Sequence, residues 1–261
     1  MINLQEVLKL DFANLETFTT RKETAWGSLF LNENEPNYYD ANHAHISKEC
    51  LDPALLADEV IRFYQSRNII PRFYLYQLEN QLSLITELKA KGFQYEELIS
   101  PVQLWTGHVT EKVKGRHVTI EKVNQGNLSE ALQIQGSIKE FGGKEVIEKI
   151  FKKQFSHPSF THYLLRYDGK ACGAACMFEE KNQARVESVA TLQSFRGKGL
   201  IGDLLSFIQE EAVRKHIDKL WVLPINERVE NVYSRYGFET IAAMKTGHAF
   251  LGGKNIKEIQ S

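Results

Sequence analysis

The segment of the 261-residue chain richest in chemistry is Gln193-Ser-Phe-Arg196-Gly197-Lys198-Gly199-Leu200-Ile201-Gly202. A strand-like stretch precedes it and an amphipathic stretch follows, so it reads as strand, loop, helix. Glycines in such a loop let backbone N–H groups converge without Cβ obstruction at the positive end of a helix dipole, a device for holding a pyrophosphate. Arg196 and Lys198 add positive charge. Dinucleotide folds and P-loops open in the same way. However, no G-x-x-x-x-G-K-[ST] run is present, and the strands before the loop are hairpin-linked, which speaks against a dinucleotide fold. A tight glycine turn with a purely structural role is the alternative that the loop alone leaves open.

Val189-Ala190-Thr191, then Arg196-Gly197-Lys198-Gly199 and Leu204-Leu205, resemble the acetyl-CoA motif of the GNAT superfamily of N-acetyltransferases, R/Q-x-x-G-x-G/A. Asn226, Tyr233 and Gly237-Phe238 resemble the asparagine, tyrosine and Gly-Phe pattern downstream in that family. The resemblance covers residues 118 to 251 and implies acetyl-CoA as co-substrate, with no metal. It implies that the backbone of Val189, Ala190 and Thr191 pairs with pantetheine. Arg196, Gly197, Lys198, Gly199, Leu200, Ile201 and Gly202 would hold the pyrophosphate, and Asn226 would contact the pantetheine or cap a helix. One departure stands out: Ile201 occupies the place of the motif's final Gly or Ala. Its position in the apolar series Ile201, Leu204, Leu205, Ile208 and Ala212 points its side chain to the core instead of the cofactor.

Tyr233 lies seven residues after Asn226, two helical turns on and so on the same face. Thioester aminolysis expels a thiolate whose conjugate acid has a pKa of about 8.5, and a phenol of pKa about 10 can protonate it as it departs. A packed helix tyrosine is the structural alternative. The attacking amine must be neutral, so another group has to take its proton. Glu187, on the strand before the loop, and His248, on a late strand, are the available residues, each equally readable as an ordinary strand residue. Glu187 is carried forward as the base, beside Tyr233 as the acid. A strand N–H near Val189 is expected to meet the oxyanion. Cys172 and Cys176, four apart and so on one strand face, have no visible neighbouring base to activate them and read as small core residues.

Lys+Arg (32) and Asp+Glu (33) nearly cancel, so no global field draws the chain to nucleic acid or an anionic bilayer. No window reaches the run of apolar residues needed to span a membrane, and the first residues lack a basic, apolar leader pattern, which makes a cytoplasmic protein the expectation. Three widely or unsuitably spaced cysteines support neither a zinc site nor a disulfide framework. The expected partners are acetyl-CoA and an amine-bearing acceptor, with no nucleic acid and no membrane, on a monomer or homodimer.

From Val118 to Val123 a strand is expected, then helices at Leu128 to Ile138 and Glu145 to Phe155 with Gly142-Gly143 between them. Strands at Thr161 to Tyr167, Ala171 to Glu179 and Arg185 to Thr191 form a meander whose first turn is Asp168-Gly169. After the helix from Ile201 come a buried strand Leu220 to Leu223, a helix Glu227 to Tyr236 closed by Gly237, and strands at Phe238 to Ala242 and Thr246 to Leu251. The order helix, strand, helix, Gly-Phe, strand also appears at Pro53 to Leu98, which reads as a degenerate tandem duplication, with coincidence between two ordinary α/β stretches as the alternative. The fold class is therefore α+β: a mixed, mostly antiparallel sheet flanked by helices, the GNAT acyl-CoA N-acyltransferase fold implied by the resemblance, in tandem with a degenerate copy. The charged stretch Thr106 to Arg116 separates an N-terminal domain, 1–112, from a catalytic domain, 116–261. The N-terminal half has no glycine loop before Pro53 and carries Leu88 where the other has Tyr233, so it should not bind CoA. Its cluster from Pro36 to His45, rich in Tyr, Asn and His, either lines a substrate cleft or is a loop entering a strand. Besides an N-acyltransferase, a non-catalytic CoA-binding or regulatory module and an interaction scaffold remain open; Tyr233 and the intact Gly197 and Gly199 favour the enzyme.

Overall fold

The computed structural model describes residues 4–111, 117–137 and 144–259. Its elements run α1 (Leu4–Glu16), β1 (Thr20–Glu23), β2 (Gly27–Leu31), β3 (His43–Ile46), α2 (Pro53–Gln65), β4 (Arg72–Leu75), α3 (Leu82–Ala90), β5 (Gln94–Trp105) and β6 (Val118–Lys122). They continue with α4 (Leu128–Gly136), α5 (Lys144–Phe155), β7 (Phe160–Tyr167), β8 (Lys170–Glu180), β9 (Gln183–Thr191), α6 (Leu200–Arg214), β10 (Lys219–Val222), α7 (Glu227–Ser234), β11 (Phe238–Phe250) and α8 (Ile256–Ile259). Antiparallel pairing dominates this α+β fold; β3 with β4 and β9 with β10 run parallel. The chain forms two compact units, residues 1–10, 101–242 and 259–261 in the first, 11–100 and 243–258 in the second.

In the first unit the strand order is β5-β10-β9-β8-β7-β6. The two-residue turn between β7 and β8 has Asp168 at φ 48° and Gly169 at φ 75°, as a right-twisted hairpin demands. Successive side chains of a strand alternate between faces, and each face has its own cover. Tyr163, Leu165, Met177 and Val186 pack on Leu204, Leu205, Ile208 and Ala212 of α6. Leu164, Ala174 and Ala190 pack instead on Ala131 and Ile134 of α4 and Phe151 of α5. Each fully buried Leu or Ile of these layers contributes roughly 1.5–3 kcal/mol, which fixes α6 and its N-terminus against the sheet.

In the second unit the order is β1-β2-β3-β4-β11-β5. Ala44, Ile46, Phe73 and Leu75 turn one face toward Leu56, Val60 and Tyr64 of α2 and Leu84 and Leu88 of α3. The alternate residues, His43, His45 and Tyr74, therefore share the opposite face.

The same order recurs in both units. A helix joins two parallel strands (β3–α2–β4 and β9–α6–β10), a second helix follows, a left-handed glycine ends it (Gly92 at φ 86°, Gly237 at φ 78°), and a strand leaves. Those last strands are each divided. In the first unit Gln103 and Leu104 of β5 pair with Val222 and Trp221 of β10. In the second unit Gly247 to Phe250 of β11 pair with Leu75 to Arg72 of β4.

Several expectations need adjustment. Phe238–Phe250 is one strand, not two. Helix α4 ends at Gly136, and Ile138, Gly142-Gly143 and residues 112–116 of the expected linker lie outside the described residues. Cys172 and Cys176 do not share a face: a register shift near Leu165/Arg166 moves Cys172 into the layer under α6 with Ala175 and Met177, while Cys176 keeps the alternation of Ala174.

Candidate active site

Strand β9 builds the site. Cys176 of β8 faces Glu187, yet Ala174, two residues back, faces Ala190, so β9 carries one residue more than its partner. Ser188, within that bulge, has φ 52°. A non-glycine residue there costs roughly 1 kcal/mol, and a bulge leaves its extra residue out of the ladder. On the other edge, parallel pairing with β10 covers Gln183 to Arg185 alone among the described residues. The edge of β9 beyond Arg185 is therefore not laddered to β10 where Val189, Ala190 and Thr191 run, an arrangement that suits an extended ligand able to exchange backbone hydrogen bonds. Gln135 Nε2 of α4 reaches Ser188 O at 3.5 Å and braces the bulge.

The glycine loop follows after a short 3-10 turn, Gln193–Phe195. Gly197 (φ 77°) and Gly199 (φ 72°) both adopt the left-handed conformation that glycine takes without strain. A Cβ on Gly197 would meet nothing within 4 Å, and residues Arg196 to Gly199 are exposed. Gly199 occupies the N-cap of α6 and offers no side-chain acceptor; Gly202 N donates back to Gly199 O at 3.0 Å, and the amides before it lie at the positive end of the helix dipole. The α2 helix of the second unit makes the contrast: Asp52 caps it, its carboxylate accepting from Leu55 N at 2.9 Å, with Pro53 next. There a side-chain anion already holds the place that a phosphate would need, and proline removes one donor.

Around the loop, Arg196 donates from Nε to Thr191 O at 3.2 Å, and Lys198 Nζ lies 4.9 Å from the Tyr167 ring centre. Leu200 is buried, and Ile201 packs against the layer under α6, toward the core as its place in the apolar stripe requires. Gly202 has a packing reason of its own: a Cβ there would come within 2.3 Å of the Tyr236 ring.

Asn226 caps α7, its side chain accepting from Val229 N at 3.0 Å. Two turns on, Tyr233 is 8% exposed and packs edge-on against Phe238, ring centres 5.7 Å apart. Its hydroxyl forms no hydrogen bond with any described residue, and burial pushes the phenol well above its ordinary range. Tyr233 lies in the layer under α6 with Val186, whereas Glu187 shares the opposite face with its cross-strand neighbour Cys176. Glu187 is ion-paired, Arg185 Nε to Glu187 Oε1, at 2.5 Å.

His248 belongs to the second unit, fully buried, with Nδ1 2.8 Å from Glu96 and Nε2 3.1 Å from Arg72. Both ring nitrogens are thus occupied, and burial pushes the imidazole down to about 4. Beside Cys176 the structure reveals a base that the sequence did not: His162 Nε2, 3.8 Å from Sγ. Burial raises that thiol well above its usual range and lowers the imidazole to about 4, so the pair rests neutral and the thiol is not activated. Cross-strand register brings the two together, a relation invisible before the strands are paired. Among the described residues, no group of three or more His, Cys, Asp or Glu is placed to hold a metal, and no helix is long and apolar enough to cross a membrane.

Residues 129–238 match the acetyltransferase (GNAT) family, a span containing the bulge, the glycine loop and Tyr233. A GCN5-related N-acetyltransferase from Kribbella flavida shares the fold over 95% of each chain at 19% identity, TM-score 0.69. A functionally unknown conserved protein from Staphylococcus epidermidis ATCC 12228 does so over 92% of this chain and 96% of its own, at 13% identity and TM-score 0.71. A tandem GNAT protein from the clavulanic acid biosynthesis pathway matches over 82% and 76%, at 11% identity and TM-score 0.56. Comparison with curated proteins gave no match. The chain carries a GNAT acetyltransferase domain at residues 129–238, within a fold that it shares with GNAT proteins along nearly its whole length.

Proposed function

We propose that the chain transfers the acetyl group of acetyl-CoA to a primary amine by direct attack in a ternary complex. The observation that carries this reading is the break in β9: the Ser188 bulge and the edge beyond Arg185, followed at once by an uncapped helix N-terminus behind two left-handed glycines. Acetyl-CoA supplies an activated thioester. Val189 to Thr191 offer backbone groups to the pantetheine, the amides of Gly197 to Gly202 hold the pyrophosphate, and Arg196 and Lys198 add charge. An N–H near Val189 stabilises the oxyanion while the amine nitrogen forms its bond to the carbonyl carbon.

Tyr233 then gives its proton to the departing sulfur as the C–S bond breaks, and Glu187 takes the proton that the amine sheds, directly or through water. Catalysis is assigned to residues 116–261. The 1–112 segment is assigned no CoA site, in keeping with the Asp52 cap on α2. The Arg185–Glu187 ion pair favours a second reading, a CoA-binding or regulatory module without a working base. Acetyl-CoA-dependent thiol release with a panel of small amines separates the two: binding of CoA without release by any amine supports the module.

A further inference from the structure

The second unit has a sheet face that neither CoA binding nor acetyl transfer employs. An aromatic row crosses it: Phe30 to His43 at 4.9 Å between ring centres, His43 to Tyr74 at 4.7 Å, Tyr74 to His248 at 4.9 Å and His248 to Phe250 at 4.8 Å. His45 lies beside it, 4.6 Å from Phe12 and 4.1 Å from Tyr76. The opposite face of the same strands is an ordinary apolar core, so the need to fold does not by itself call for histidines and tyrosines here.

The row already holds cations at both ends. The Arg21 guanidinium sits 4.4 Å from the Phe12 ring centre, and that of Arg72 sits 5.2 Å from Phe250. Between them His43 is 5% and His45 2% exposed, while Asp11, Asp40, Tyr74 and Tyr76 are half-buried. Neither nitrogen of the His45 ring forms a hydrogen bond with any described residue, although the residue is almost wholly buried. The His45 nitrogens are not among the fully buried unpaired atoms, so they stay within reach of solvent, and a neutral imidazole offers one acceptor there.

We propose that this middle section is a binding site for an organic ammonium ion, whose N–H groups satisfy His45 and whose charge faces the tyrosine rings under the Asp40 and Asp11 carboxylates. Cation–π attraction and carboxylates act together on such a ligand, and an uncharged one gains neither. Burial pushes His43 down to about 4 and His45 to about 3, so these two imidazoles are neutral at pH 7, and the fixed positive charges are those of Arg21 and Arg72 at the two ends. After burial, Asp40 is the largest influence raising the Tyr74 phenol, and Asp11 the largest raising that of Tyr76.

The ammonium can come from a free amine or from a lysine of a peptide. The test is imidazole ¹H–¹⁵N correlation NMR of the full chain without acetyl-CoA, so its outcome is independent of acetyl transfer. Butylammonium, a lysine-containing tripeptide and butanol are titrated in separate arms. The expected result is saturable shifts of the His43 and His45 signals with one or both cations and none with butanol, the stronger cation naming the source. Asp40→Asn, at a half-buried residue, should keep the fold and weaken the cation about ten-fold. Unshifted signals with both cations up to about 10 mM, or equal shifts with butanol, overturn the assignment.

Discussion

Replacing Tyr233 by Phe separates a transferase from a module that only holds CoA. The ring packs at 5.7 Å against Phe238 and is 8% exposed, so the substitution preserves the packing. The lost hydroxyl has no hydrogen bond with a described residue, so no partner is orphaned and stability should move by less than about 1 kcal/mol. Turnover is another matter. A missing general acid costs roughly 10²–10⁴-fold, and because a thiolate is a fairly good leaving group the lower end applies, about 10²-fold or 2.7 kcal/mol of barrier. Burial raises the phenol, which weakens it as an acid and again points to the lower end. The raised phenol also stays protonated through neutral and mildly alkaline pH, so its ionisation should give the wild-type rate no descending limb there. Initial rates of thiol release with one competent amine, together with calorimetric CoA titration, read both quantities. An unchanged kcat, with chemistry shown to be rate-limiting, would refute the role and leave Tyr233 a packing residue.

Gly199→Val places a branched residue at φ 72°, strained by about 1–2 kcal/mol, and puts a side chain before the α6 amides; CoA affinity should fall sharply while circular dichroism is kept, and parental affinity by calorimetry would remove the pyrophosphate from this loop. Gly202→Ala should destabilise the chain by about 1–2 kcal/mol in urea melts, since a Cβ 2.3 Å from Tyr236 forces the ring to move; no loss of stability would show that the ring yields freely. His43, His45 and His162 are all lowered from 6.5, to about 4, 3 and 4, so below pH 6.5 the unfolded chain takes up protons that the folded chain refuses. Their contribution to stability is complete above pH 6.5 and is lost as the pH falls toward 4, each histidine adding a slope of up to about 1.4 kcal/mol per pH unit. Equal unfolding free energies at pH 7.5 and 5 would contradict this burial.

What the sequence disclosed and what it withheld divide along chain-local and pairing-dependent features. The glycine loop, the Asn226 cap, the Asp168-Gly169 turn and the left-handed Gly237 each depend on a few consecutive residues, and each is found where the spacing places it. The Ser188 bulge depends on how β8 and β9 count against each other, and nothing in Glu187-Ser188-Val189 alone announces an extra residue. His162 beside Cys176 is likewise a matter of register. Strand β1, Thr-Arg-Lys-Glu, is all polar, as an edge strand tends to be, and so shows no alternation. His248 read as an available base on a late strand; β11 passes into the second unit before reaching it, and Glu96 and Arg72 claim its nitrogens. The repeated order of elements was visible as spacing, whereas the division of the last strand of each repeat lies beyond any linear reading.

Direct transfer in a ternary complex is tested most directly by initial velocities with acetyl-CoA and a competent amine varied together. The edge of β9 is open beyond Arg185 and burial keeps the Cys176 thiol neutral, so under the proposed direct attack the double-reciprocal lines should intersect. Parallel lines with an isolable acetyl-enzyme, or no thiol release with any amine despite CoA binding, would contradict it.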